Sequence, residues 1–115
     1  MKIERFEDIL AWQKAKEITL RVYLLFKENK DYGFRDQICK ASVSIMNNIA
    51  EGFERRSDKE FKHFLFMAKG SCGEVRSMLH VAPELRYINE NDYSQLVDKC
   101  NEVSRIISGL IKTLH

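Results

Sequence analysis

The feature that most constrains this chain is an apolar seam advancing in alternating steps of four and three residues. It runs Phe61, Leu65, Ala68, Cys72, Val75, Leu79, Ala82. Such steps average about 3.5 residues, the repeat that keeps one stripe of an α-helix turned toward a partner. A strand alternates every second residue and cannot carry the pattern. The same steps recur toward the C-terminus in Tyr93, Leu96, Cys100, Val103, Ile107, Leu110 and Leu114. Two seams of this length need other helices to cover them.

The rest of the chain supplies those helices. A first helix is predicted from about Asp8 to about Glu28, with Ala11, Ala15, Ile18, Val22 and Leu25 inward and Trp12 and Phe26 adjoining. Asn29–Gly33 is the break. A second helix runs from Gly33 to about Phe53 on a seam of Phe34, Ile38, Ala41, Ile45 and Ile49. Ser57 and Glu60 form a capping box that starts helix three. Pro83 kinks or finishes that helix, and Asn89–Asp92 offers Asx caps for helix four. With 5 Gly and 1 Pro, breakers are too scarce for a fold of many turns. The reading is all-α: one antiparallel up-down four-helix bundle, a single domain over residues 1–115.

Bulk composition narrows the function classes. Net charge is +2, from 19 basic and 17 acidic residues, so the chain lacks the strongly basic balance of an obligate nucleic-acid binder. There is no apolar run of membrane-spanning length. Met1–Arg5 lacks the apolar stretch of a secretory signal. The 3 cysteines are odd in number and lack metal-type spacing, which points to a reducing, cytoplasmic setting. Cys72 and Cys100 lie on seams and read as core filling.

Candidate chemistry is thin. Glu60 and His63 make a Glu-x-x-His pair, half of what a di-iron bundle needs, but neither His80 nor His115 completes a second one. No metal, cofactor or catalytic residue is assigned. Gly70, Ser71 and Gly73 suggest a shallow seat for a neighbouring helix, best matched by the small, polar flank of helix two. On that flank Ser44, Asn48 and Glu51 share one face, and helix three offers Ser71 and Glu74 opposite. Buried polar groups need partners, so these five read as a clasp setting helix register. The alternative is a recognition surface, or an enzyme using Glu51 and Glu74 in a small polar pocket. The densest basic cluster is Arg55, Arg56, Lys59 and Lys62, diluted by Glu54, Asp58 and Glu60. It reads as a solvated helix end or as a contact for RNA or DNA phosphates. A second apolar row on helix three (Phe64, Phe66, Met67) and on helix four (Val97, Ile106, Ile111) either widens the core stripe or faces another subunit.

Longer runs carry a resemblance. They are Phe6–Ala15; Tyr32–Ile38; Ser44-Ile45 followed by Asn48-Ile-Ala-Glu-Gly52-Phe53; and Ser57, Phe61, Phe64-Leu65, Ala68, Gly70-Ser71 and Glu74. In combination they resemble the four-helix-bundle family encoded in intervening sequences of bacterial 23S rRNA genes, over nearly the whole chain. Met46 stands where that family commonly has Pro. The resemblance implies an antiparallel four-helix bundle that assembles as a homopentamer and has no accepted catalytic residues. It also implies kinship with the accessory variability protein of diversity-generating retroelements, a basic pentameric barrel that binds nucleic acid and a reverse transcriptase. The expected function is therefore a non-enzymatic, oligomeric binding or scaffold protein. Its expected partners are further copies of itself and RNA or DNA, with a protein partner as the alternative and no membrane.

Overall fold

The computed structural model describes residues 2–115. After a single 3₁₀ turn, Phe6–Asp8, the chain forms four α-helices: α1 (Leu10–Phe26), α2 (Tyr32–Glu54), α3 (Asp58–Val81) and α4 (Glu90–Lys112). They make an all-α bundle of 43 × 22 × 19 Å. α2 packs on α1 and α3, and α4 packs on α3 and α1. α1 and α3 therefore lie on one diagonal and α2 and α4 on the other.

Three of the four helices start at a side-chain cap. Asp31 caps α2 by accepting from Phe34 N–H at 3.2 Å, and Asn89 caps α4 by accepting from Asp92 N–H at 2.8 Å. Ser57 accepts from Glu60 N–H at 3.4 Å, but the reciprocal arm of the expected capping box is not made. The Glu60 carboxylate turns instead to Arg55 at 3.2 Å. The first helix begins two residues later than its seam suggested, because Phe6–Asp8 winds more tightly and stacks Phe6 edge-on against Trp12. Pro83 lies just beyond α3, in the turn.

The seams close on one core. Ala11, Ala15, Ile18, Val22 and Phe26 meet Ile38, Ala41, Ile45 and Ile49, then Leu65, Ala68, Cys72, Val75 and Leu79, then Leu96, Cys100, Val103 and Ile107. Val97, Ile106 and Ile111 pack half-buried against this core and so widen it. Phe66 and Met67 do not; both stay exposed. No buried side-chain polar atom among the described residues lacks a hydrogen-bond partner.

The tight helix approach is not where the glycine pair of α3 suggested. A Cβ added to Gly70 or Gly73 would meet nothing within 4 Å. A Cβ on Gly52 would lie 2.5 Å from the Phe64 Cβ. Gly52 is fully embraced by Phe61 and Phe64, and its missing side chain lets the C-terminal end of α2 press on the first turns of α3.

Cross-helix polar contacts fix the register. Lys14–Glu102, Glu17–Lys99 and Arg21–Asp92 tie α1 to α4 antiparallel at 3.5, 3.1 and 2.9 Å. Arg76 donates to Asn101 at 2.8 Å between α3 and α4. At the loop end, Tyr87 donates to Asp31 at 2.7 Å and stacks edge-on to Phe34.

Candidate functional site

The α2–α3 face carries the polar residues that the sequence brought forward. The Ser71 hydroxyl donates to the Ser44 hydroxyl at 3.0 Å. The Asn48 amide donates to the Ser44 hydroxyl at 2.9 Å and to the Ser44 carbonyl at 2.8 Å. Three side chains thus form one small network bridging the two helices. The two glutamates do not join it. Glu51 lies one turn further on, exposed, and pairs with Arg55 at 3.1 Å in an i,i+4 bridge. Glu74 accepts from the Gln37 amide, a contact the sequence pattern did not suggest. Two carboxylates held by separate partners at separate points of the face do not form a common pocket. Neither lines the hollow between α1 and α2 or the one beside Trp12.

The basic cluster sits at the α2–α3 turn. Arg55 is already engaged: its guanidinium bridges Glu51 and Glu60 and lies over the Phe64 ring, 4.9 Å from the centroid. Arg56 adopts a left-handed backbone, φ 58°, where glycine is usual after a helix end, and stacks over Phe53 at 5.0 Å. Arg56, Lys59 and Lys62 have no carboxylate partner within bridging distance among the described residues. The cluster is therefore three available cations rather than four.

Burial holds the three cysteine thiols in their protonated form. Burial pushes the Cys72 thiol up to about 11 and the Cys100 thiol up to about 12, so both stay protonated near neutrality. Burial also raises Cys39, with a smaller contribution from Asp36. No group of three or more metal-ligating side chains converges among the described residues, and His63 stacks edge-on to Phe64.

A hollow of about 590 Å³ lies between α1 and α2. Tyr23, Cys39 and Val43 line it together with Lys27, Arg35, Asp36 and Lys40. Sequence reasoning missed it because its residues are scattered over two outward helix flanks. The available signal was Tyr23, a large residue off the α1 seam.

The family model of the 23S rRNA-intervening sequence proteins matches residues 7–109. The chain belongs to that family. The match spans all of α1, α2 and α3 and most of α4, so membership and the bundle rest on the same residues. A crystal structure from Bacteroides thetaiotaomicron, of a protein with unknown function from the S23 ribosomal protein family, superposes with a TM-score of 0.83. It is 23% identical, over 90% of this chain and 99% of that one, a likeness of fold. No curated protein matches. No helix of this family member is long and apolar enough, among the described residues, to cross a membrane.

Proposed function

We propose that this chain is a non-enzymatic scaffold that self-associates and offers a basic helix end to nucleic-acid phosphates. The observation that carries self-association is a pair of exposed apolar faces. Leu20, Tyr23 and Leu24 stand outward on α1, and Phe66, Met67 and Val81 stand outward on α3. Apolar patches of this kind on a small bundle mark interaction surfaces. The homopentamer implied by the sequence resemblance is the stoichiometry proposed. The cytoplasm is the compartment proposed, in keeping with three unpaired, buried thiols.

A non-catalytic role is supported by the site geometry. Glu51 and Glu74 are held by separate partners, and the buried thiols are pushed away from reactivity. Nucleic-acid contact is supported by Arg56, Lys59 and Lys62, cations at one end of the bundle that an assembly would repeat around its axis. They would meet phosphates and read no sequence.

The test is fluorescence anisotropy of the purified chain with labelled mixed-sequence single-stranded RNA and duplex DNA. Binding should weaken steeply as salt rises. It should disappear when Arg56→Gln and Lys59→Gln are combined, with the oligomer mass unchanged. Absence of binding at low salt removes nucleic acid as the ligand and leaves a scaffold for a protein partner.

A further inference from the structure

We infer that the hollow between α1 and α2 is a binding site for a small ring-bearing phosphate, a phosphomonoester of mononucleotide size. This goes beyond the function proposed above and rests neither on self-association nor on contact with nucleic acid. The hollow, about 590 Å³, falls within the roughly 300–1,000 Å³ of small-molecule sites. Its walls are bonded together beside it: Thr19, one turn before Tyr23 on α1, donates to the Ser42 carbonyl of α2 at 3.1 Å. It is also separate from the basic turn. Glu54, the last residue of α2, is 14 residues beyond Lys40, roughly 21 Å along the helix.

The charges select the anion. Lys27, Arg35 and Lys40 line the hollow against a single carboxylate, Asp36. Arg35 donates through Nε to Asp36 at 3.0 Å, and its guanidinium lies over the Tyr32 ring, 4.7 Å from the centroid. That pair is closed on itself. Lys27 and Lys40 are exposed and have no carboxylate within bridging distance among the described residues. A planar carboxylate is best gripped by a free arginine fork, which the hollow lacks. Two ammonium groups act as point charges whose donors turn freely, which suits the oxygens of a tetrahedral phosphate.

The ring follows from Tyr23. It lies one turn before Lys27, whose N–H donates to the Tyr23 carbonyl at 3.0 Å, so phenol and ammonium share one flank of α1. Tyr23 is 46% exposed and joins no aromatic or cation–π pair among the described residues. A flat ring laid against it would cover apolar surface and gain a stacking contact. Cys39 and the half-buried Val43 continue the apolar lining on α2. Apolar lining and two free cations thus match the two halves of one ligand, a ring and a phosphate.

An NMR titration of the full-length, isotope-labelled chain tests this. The probes are phenyl phosphate and adenosine 5′-monophosphate, compared with inorganic phosphate, adenosine and benzoate. Amide shifts from both ring phosphates should concentrate on Tyr23, Lys27 and residues 35–43. Each of the three comparison compounds should bind more weakly by about tenfold or more. Lys27→Gln combined with Lys40→Gln should weaken both ring phosphates by about tenfold or more. Tyr23→Ala should weaken adenosine monophosphate and leave inorganic phosphate unchanged. Light scattering and circular dichroism check that these variants keep the wild-type mass and helicity. Shifts centred on Arg56, Lys59 and Lys62 overturn the assignment, and so does an absence of shifts at millimolar probe. Benzoate binding as tightly as phenyl phosphate overturns the choice of anion. A double-lysine variant that loses mass, while the wild type takes up no probe, shows a second copy seated in the hollow and overturns the ligand.

Discussion

Replacing Gly52 by Ala adds one methyl group where α2 and α3 are closest. The new Cβ would lie 2.5 Å from the Phe64 Cβ, 3.1 Å from the Phe61 Cδ1 and 3.3 Å from the Phe64 Cγ. Carbon atoms settle at about 3.5–4.0 Å, so the first contact is short by about 1 to 1.5 Å. A rotamer change cannot relieve it, because the Phe64 Cβ is fixed to the α3 backbone. The helices must part, and that loosens the Phe53–Phe61 edge contact beside them. Overpacking of this kind costs roughly 1–3 kcal/mol. Against it stands the intrinsic preference for Ala over Gly in a helix, roughly 0.5–1 kcal/mol. The expected net loss is about 1–2 kcal/mol, and in a chain of this size each kcal/mol lowers Tm by roughly 4 °C. Gly109→Ala is the control: it lies in α4, where an added Cβ meets nothing within 4 Å, so only the helix preference remains. Paired urea and thermal melts should show Gly52→Ala destabilised and Gly109→Ala unchanged or stabilised. A Gly52→Ala protein as stable as the wild type would refute the close approach.

Three further outcomes follow from other contacts. Ser44 accepts from both Ser71 and Asn48, so Ser44→Ala should cost more than Ser71→Ala, each on the order of 1 kcal/mol, and the double variant should cost less than the sum; additive costs would dissolve the network. Tyr87 and the Phe34 N–H hold the Asp31 carboxyl below the usual carboxylate range. A depressed folded-state pKa contributes stability above the unfolded value, about 3.9, and that stability is lost as pH falls through the folded one. Tyr87→Phe should therefore lose less Tm than wild type between about pH 5 and about pH 2, and parallel curves would contradict the coupling. At neutral pH, a thiol reagent should leave Cys72 and Cys100 unmodified in the native protein and label both after denaturation. Rapid native labelling of either would show that the core opens.

The bundle was legible because its determinants are periodic. The α3 and α4 seams count out in the sequence, and Asp31, Ser57 and Asn89 each sit within a residue or two of a predicted helix start. What was less legible depends on how helices rotate against one another. Gly70 and Gly73 look like a helix seat in a linear reading, yet α3 turns them to the surface, and the seat belongs to Gly52. Glu51 shares a face with Ser44 and Asn48, but it lies near the helix end, where Arg55 is the nearer partner. Phe66 and Val97 both lie beside a seam; only the packing of neighbours leaves one exposed and covers the other. The Lys27–Lys40 groove joins residues from two helices, so no single stretch of sequence announces it.

The mass of the native particle bears most directly on the chain's proposed role as a self-associating scaffold. Multi-angle light scattering across a range of protein concentrations should return a whole multiple of the 13.5 kDa chain, five copies for the homopentamer proposed. A mass of 13.5 kDa at every concentration would contradict self-association and leave the exposed faces of α1 and α3 without an occupant.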